Sequence, residues 1–286
     1  MNSSQNESCT ELYADLLKKV LSASIYEESA WSVVNMHKQD WREEKNILKL
    51  LKNHIKWNVI DWLGRRSFIL VKRIPFNAKT RELGKDWPNM IGYTMVGKHR
   101  LNNVQACIED VLKNNIPGDF IETGAWRGGV TIFMRALLKL HGVTDRTVWV
   151  ADSFEGLPAP TSESDGWDLS ATEILKVSLE KVQENFRKFD LLDGQVKFLK
   201  GWFCDTLPTA PIEKLAILRL DGDMYSSTMD ALVSLYPKVS KGGYIIVDDY
   251  YSWPACKQAV TDYLQANNIK ADIKAIDEDS AYWKCE

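Results

Sequence analysis

The stretch Asp119-Phe-Ile-Glu-Thr-Gly-Ala-Trp-Arg-Gly-Gly129 has the pattern of a buried strand that runs through a glycine-rich turn into a helix. Glycine has no Cβ atom, so this turn can be tight and its backbone can approach a ligand closely. Glu122 lies where the strand ends. A second apolar run, Val148-Trp-Val-Ala-Asp152, ends in an acid about 30 residues later, a position suited to hold two ribose hydroxyls. These two segments predict an α/β sheet with a nucleotide-like cofactor at its edge.

The spacing of the turn discriminates between kinds of cofactor. The chain has no GxxxxGK[ST], which argues against a Walker phosphate loop. A dinucleotide enzyme normally shows G-x-G-x-x-G, whereas the turn here reads E-x-G-x-x-x-G-G with Glu122 inside it. A carboxylate repels a pyrophosphate but attracts the ammonium group of an amino-acid-bearing cofactor such as S-adenosylmethionine. For these residues alone, the alternative is an ordinary strand-loop-helix junction without a ligand.

The composition agrees with an enzyme of one large domain, or of one domain with an extension. The 286 residues are 45% hydrophobic, enough to bury a sizeable core. A net charge of -3 argues against a broad nucleic-acid surface. No apolar run reaches the roughly 18 residues of a membrane span, so we expect a cytoplasmic protein that binds neither nucleic acid nor membrane. The five cysteines are scattered without a CxxC, and neither a zinc knuckle nor a disulfide framework is predicted.

Periodicity divides the chain into two regions. Apolar residues spaced three and four apart predict helices over residues 10–66, and turn signals predict irregular structure over 67–100. Beyond them strands and helices alternate, which predicts a doubly wound, mostly parallel sheet. The expected strands are 119–123, 147–152, 196–200, 216–221 and 243–248, with an antiparallel edge near 271–276 and 281–285. The expected helices are 102–115, 129–141, 172–189, 226–236 and 255–267.

This alternation predicts an N-terminal helical extension over residues 1–90 and a Rossmann-like domain over 91–286. The extension is rich in tryptophan, which either packs in a core or lines a substrate pocket or subunit contact, and we expect a homo-oligomer. The tryptophans are Trp31, Trp41, Trp57 and Trp62. In the sheet domain, residues 158–166 follow a strand at the ligand-binding edge and form either a lid or a merely flexible loop.

Carboxylates follow two neighbouring strands of the predicted sheet. Asp221 ends one strand, and Asp248 and Asp249 end the next. Three clustered anions repel one another, and a hard divalent cation with oxygen ligands, such as Mg²⁺, relieves that repulsion. The alternative is that some of these aspartates cap the following helices. Asp223, close to Ser226, is the best candidate for a cap.

Several motifs, taken together and in this order, resemble the macrocin O-methyltransferase family. They span roughly residues 90–265 and are Tyr93–Asn103, Ile121–Gly129, Val150–Pro158, Gly201–Pro208, Leu220–Thr228 and Val247–Tyr250. Members of that family look like class I O-methyltransferases that depend on S-adenosylmethionine and Mg²⁺. They modify hydroxyls on sugars or related groups of natural products.

The resemblance implies a cofactor site of seven residues. They are Thr94, Met95, Glu122, Gly124, Asp152, Ser153 and Trp202. Glu122 and Gly124 would contact the methionine part of the cofactor and Asp152 its ribose. Ser153 and Trp202 would lie near the adenine. Thr94 and Met95 would approach from the segment that precedes the sheet.

The resemblance also implies a mechanism. Asp221, Asp248 and Asp249 would hold Mg²⁺, which binds a substrate hydroxyl and lowers its pKa. Catechol-type metal methyltransferases are similar and carry a lysine three residues after the first metal aspartate, where this chain has Met224. Asp221 is therefore expected to be the catalytic base as well as a ligand, with Asp223 as the second candidate.

The acceptor is expected to be a small molecule with a hydroxyl, a sugar first of all. A phenol, a hydroxy acid or an amine are the other acceptors left open by the sequence. Two further alternatives are a dinucleotide or nucleotide-sugar enzyme on the same fold, and a methyltransferase-like subunit without catalysis. The presence of five acids argues against the last of these: Glu122, Asp152, Asp221, Asp248 and Asp249.

Overall fold

The computed structural model describes residues 8–26, 30–33, 58–59, 62, 71–85 and 91–286. The chain divides into two compact units, one formed by Met1–Ile25 with Lys79–Glu286 and the other by Tyr26–Ala78. In the second unit, strands β1 (Ala30–Val33) and β2 (Val71–Ile74) pair antiparallel. This pairing corrects the helix expected at 30–33 and the irregular structure expected at 71–74. The two strands lie far apart in sequence, so local periodicity does not reveal their pairing.

The rest of the predicted helical extension is described only in part. Helix α1 (Cys9–Leu21) confirms its first segment. Trp62 is largely exposed, at 54% of its surface. The helices expected over 34–57, with Trp41 and Trp57, lie outside the described residues.

A seven-stranded sheet forms the centre of the first unit. Its strands are β3 (Asp119–Thr123), β4 (Val148–Asp152), β5 (Val196–Lys200), β6 (Leu215–Leu220), β7 (Val239–Val247), β8 (Lys274–Ala275) and β9 (Ala281–Lys284). The order is β5-β4-β3-β6-β7-β9-β8, with the first five strands parallel and the last two antiparallel. The predicted doubly wound sheet and its antiparallel edge are confirmed. The strand order reverses between β3 and β6, where ligands bind in sheets of this kind.

The other helices bounded in the described part of the chain follow in order. They are α2 (Ala78–Glu82), α3 (Lys98–Lys113), α4 (Gly129–Leu140), α5 (Leu179–Lys188), α6 (Phe203–Thr206), α7 (Tyr225–Leu235) and α8 (Pro254–Ala266). Helix α5 begins later than the expected residue 172, because Ser178 caps it by accepting a hydrogen bond from the Lys181 N–H at 3.3 Å. The short helix α6 is not predicted from the sequence. In the described ranges, no helix has both the length and the apolarity of a membrane span.

The core lies on both faces of the sheet. Neighbouring residues Phe120 and Ile121 belong to different buried clusters, as the alternation of side chains along a strand requires. Helices α1, α3, α4 and α5 cover the first face, and α7 and α8 cover the second. Leu21 of α1 is fully buried in the first cluster, and its carbonyl accepts from the Tyr93 N–H at 2.7 Å. Helix α1 therefore packs in the same unit as the sheet, although the domain boundary expected from the sequence lies at residue 90.

Candidate active site

The glycine turn after β3 brings three strand ends close together. Gly124 has a φ of 89°, and a Cβ atom there would lie 1.7 Å from the carbonyl oxygen of Asp221. Its N–H donates to the Ala151 carbonyl of β4 at 2.8 Å, and the Asp221 N–H donates to the Thr123 carbonyl at 2.9 Å. The turn therefore needs glycine for both its conformation and this close approach.

Asp152 holds the glycine turn from the end of β4. Its Oδ2 accepts from the N–H groups of Ala125 at 2.8 Å and Trp126 at 3.0 Å, and its Oδ1 accepts from the Phe154 N–H at 2.7 Å. Burial raises the pKa of Asp152, while these three N–H donors lower it. An ionised carboxylate offers about four lone-pair sites, so the side chain retains capacity for a ligand hydroxyl.

A cavity of about 440 Å³ opens beside the turn. This volume is within the range of small-molecule sites, about 300–1,000 Å³. Seven of the residues predicted from the sequence line it: Met95, Gly124, Asp152, Ser153, Trp202, Asp221 and Asp223, the second candidate base. Sequence reasoning gave no role to other lining residues, among them Trp126, Thr161, Cys204 and Asp230. Trp126 and Cys204 lie in the motifs that carry the family resemblance, and Thr161 lies in the predicted lid, whereas Asp230 lies within helix α7 and had no sequence signal.

Four predicted residues do not line the cavity: Thr94, Glu122, Asp248 and Asp249. Thr94 is buried, and its Oγ1 accepts from the Val96 N–H at 3.1 Å. Glu122 is also buried, and burial raises its pKa to about 8 although Arg219 opposes this. Oε1 of Glu122 accepts from Arg219, whereas no described residue donates to its buried Oε2. That oxygen needs a donor, which fits the ammonium of the expected cofactor.

Three carboxylates form a cluster beside the turn. Oxygens of Asp221, Asp223 and Asp249 all lie within 4.8 Å of one another. Burial, and then the charge of Asp248, raises the pKa of Asp221 well above its ordinary value. The pKa of Asp249 rises because of burial and the charge of Asp223. Burial raises the pKa of Asp223 to about 6. Clustered, half-buried oxygen ligands with surplus negative charge fit a hard divalent cation.

Asp248 is not a member of this acidic cluster, because two arginines bind its oxygens. Its Oδ2 accepts from Arg100 Nη1 at 2.7 Å, and its Oδ1 accepts from Arg219 Nη2. Strand β7 ends at Val247, so Asp248 and Asp249 stand in the turn that follows it. The structure thus brings together Asp221 and Asp249 of the predicted metal ligands, with Asp223 as their third member in place of Asp248.

The alternative that Asp223 caps the following helix is wrong, because Asp223 does not cap helix α7. The N-cap residue is Met224, which makes no side-chain cap bond. The Ser226 N–H instead donates to Oδ1 of Asp165 at 2.8 Å. Local sequence rules could not show this contact because Asp165 lies in the predicted lid, far along the chain.

Asp165 is the anchor of that lid. It is fully buried, and its Oδ2 accepts from the Thr161 N–H at 2.8 Å and from Thr161 Oγ1 at 2.9 Å. Burial raises the pKa of Asp165, but its bonds from Ser226 and Thr161 lower it to about 2. A negative charge also interacts favourably with the N-terminus of helix α7. Asp165 therefore joins the loop over the cavity to helix α7.

Replacing this anchor gives a first testable expectation. Asp165→Ala should lower the free energy of unfolding by about 1–2 kcal/mol, the loss of a helix cap together with its local bonds. It should also speed proteolysis within 158–166. Urea unfolding and limited proteolysis measure the two effects. Asp168→Ala is the matched control, because Asp168 is exposed and, within the described part of the chain, bonds only Ser170. Equal behaviour of the two variants would contradict the anchoring role.

The macrocin O-methyltransferase family model matches residues 10–285 of the chain. The demethyldecarbamoylnovobiocin O-methyltransferase of Streptomyces niveus is 43% identical over 285 residues, which cover 98% of this chain and 95% of the relative. The mycinamicin III 3''-O-methyltransferase of Micromonospora griseorubida is 41% identical over 281 residues, with 96% of each chain covered.

A solved structure agrees with these relatives. The O-methyltransferase NovP is similar with a TM-score of 0.77 and 43% identity, covering 96% of this chain and 99% of that one. The chain belongs to the macrocin O-methyltransferase family and is an S-adenosylmethionine-dependent O-methyltransferase.

Proposed function

We propose that this protein transfers a methyl group to a hydroxyl of a glycosylated natural product and that it needs a divalent cation, Mg²⁺, to do so. The observation that carries the cation is the cluster of Asp221, Asp223 and Asp249, beside the cavity that the cofactor turn borders. The predicted ligand Asp248 would have to release Arg100 or Arg219 to join it. The residues that line the cavity all fall within 91–286, which supports the assignment of that segment as the catalytic domain.

The charge of the cavity supports an acceptor without phosphate. Four carboxylates line it, those of Asp152, Asp221, Asp223 and Asp230, and the described lining residues include neither lysine nor arginine. Such a cavity repels the diphosphate of a nucleotide sugar and tolerates a neutral or cationic glycoside. The two curated relatives are named for acting on demethyldecarbamoylnovobiocin and mycinamicin III, which supports a natural-product scaffold rather than a nucleotide sugar as acceptor.

The chemistry follows from how these residues are held. The cation, when bound, would polarise the acceptor hydroxyl. Asp221 Oδ2 accepts from Arg219 at 2.7 Å, so Oδ1 is the atom we assign to the cation or the hydroxyl proton. Asp223 lines the same cavity, and its pKa of about 6 suits a group that accepts a proton near neutral pH. The glycine turn and Asp152 orient the cofactor, and the anchored lid limits access of water.

Calorimetry and turnover together test this function. S-adenosylhomocysteine should bind with a dissociation constant in the micromolar range, about -8 kcal/mol, and NAD should not bind. Methyl transfer to a neutral glycoside acceptor, followed by mass spectrometry, should stop in chelator and return with Mg²⁺. Nucleotide sugars should be poor acceptors in the same assay. Turnover that persists in chelator would contradict the cation, and preference for the nucleotide sugar would contradict the acceptor class.

A further inference from the structure

A chain of buried ion pairs runs behind the candidate site. Its members are Glu122, Arg219, Asp248 and Arg100, none more than 7% exposed. Arg219 donates through Nη1 to Glu122 and through Nη2 to Asp248, and Arg100 Nη1 donates to the other oxygen of Asp248 at 2.7 Å. This buried ion-pair chain connects the residue below the glycine turn with helix α3.

Arg219 also reaches the acidic cluster. Its Nη1 donates to Asp221 Oδ2 at 2.7 Å in addition to Glu122. One nitrogen therefore binds a carboxylate assigned to the cofactor and a carboxylate assigned to the cation. Arg100 has different additional partners, Asp277 at 2.8 Å and Asp279 at 2.6 Å, and contacts neither Glu122 nor Asp221.

Stability alone does not account for Arg219. It interrupts the otherwise apolar strand Leu215–Leu220, where an aliphatic residue would pack without burying a charge. Buried ion pairs are commonly no better for stability than apolar residues of similar volume. Its Nε, moreover, is buried without a partner among the described residues. What the guanidinium provides is a planar, rigid fork whose two ends fix several carboxylates in one geometry.

We propose that Arg219 is a positioning residue that sets Glu122 for the cofactor and Asp221 for the cation at the same time. Arg100 positions only the Asp248 end of the buried ion-pair chain. This inference rests on the function proposed above, in which Glu122 serves the cofactor and Asp221 the cation. A change at Arg219 therefore disturbs both subsites, whereas a change at Arg100 leaves the cofactor subsite intact.

The test compares Arg219→Lys with Arg100→Lys, two changes of the same chemistry. Affinity for S-adenosylhomocysteine is measured by calorimetry, and affinity for Mn²⁺, as the metal probe, by paramagnetic resonance. Arg219→Lys should weaken Mn²⁺ binding by about 10- to 100-fold, the usual effect of removing a partner of a metal ligand. It should lower the affinity for S-adenosylhomocysteine by about 10-fold, because the loss of one charge-assisted hydrogen bond has an effect of this size. Arg100→Lys should change the affinity for the homocysteine compound less than about twofold.

The outcomes separate this inference from the proposed function. If the unmodified protein does not bind S-adenosylhomocysteine, the cofactor assignment itself fails. If it binds, and Arg219→Lys lowers the urea midpoint while both affinities of the folded protein stay unchanged, Arg219 is only structural and the inference is overturned. Equal losses of cofactor affinity in both lysine variants would overturn it as well.

A second variant covers the case in which Arg219→Lys does not fold. Glu122→Gln keeps the side-chain shape and leaves Arg219 in place, but it replaces the carboxyl group that shares Arg219 Nη1 with Asp221 by an amide. Arg219 should then hold Asp221 more strongly, and Mn²⁺ affinity should fall by about threefold or more, as coupled neighbours show. Glu122 is not a member of the acidic cluster, so unchanged Mn²⁺ affinity in this variant would overturn the coupling through Arg219.

Discussion

Asp221→Asn is expected to lower kcat for methyl transfer by about 10²- to 10⁴-fold, the range that one acid–base group supplies. The amide keeps the shape of the carboxylate and one hydrogen bond to Arg219, so the fold should survive. It neither accepts a proton at neutral pH nor contributes negative charge to a cation. Turnover at saturating acceptor and cofactor measures the loss. Affinity for S-adenosylhomocysteine should change less than about threefold, because Asp221 acts on the acceptor side.

The matched control is Asp230→Asn. Asp230 lines the same cavity but lies outside the acidic cluster, so its removal should change kcat by less than about threefold. Comparable losses in the two variants would point to the general charge of the cavity instead of a specific role of Asp221. Undiminished turnover in Asp221→Asn would remove both the ligand and the base assignment of that residue.

Local pattern was sufficient for the sheet and for most of the cofactor turn. The apolar run before Glu122 and the run that ends at Asp152 each carry their strand signal within a few residues, and the parallel order follows from alternation with helices. The N-terminal strands β1 and β2 could not be predicted in this way. Their pairing partners are distant in sequence, and a four-residue strand carries too little periodicity to be distinguished from a helical segment.

The acidic cluster shows that local sequence pattern is also insufficient at the level of single residues. Asp248 and Asp249 are adjacent in the motif, but Asp248 pairs with two arginines while Asp249 belongs to the acidic cluster. Local sequence could not separate the two, because the pairing of Asp248 depends on Arg100 in helix α3. Arg219 did carry a signal, a charge inside an apolar strand. Asp165 carried none, because its role is a contact with a helix much later in the chain.

Gly124→Ala should remove cofactor binding and destabilise the protein by at least about 3 kcal/mol, from strain at a positive φ together with overpacking. The added Cβ would lie 1.7 Å from the Asp221 carbonyl oxygen, which is backbone held by the Asp221–Thr123 pairing and cannot simply rotate away. Either the glycine turn or the backbone at Asp221 therefore has to move. Urea unfolding measures the stability, and calorimetry with S-adenosylhomocysteine measures binding.

Gly142→Ala separates the clash from the backbone strain. Gly142 also has a positive φ, 68°, but a Cβ added there would meet no described heavy atom within 4 Å beyond its neighbours in the chain. This variant therefore carries strain alone and should lose only about 1 kcal/mol. Its cofactor affinity should equal that of the unmodified protein, because the residue lies at the far end of helix α4. If Gly124→Ala behaved like Gly142→Ala, the approach of β3 to β6 would not need glycine. Cofactor binding would then require only the positive φ of the turn. The close contact between the glycine turn and the Asp221 carbonyl would not be needed for it.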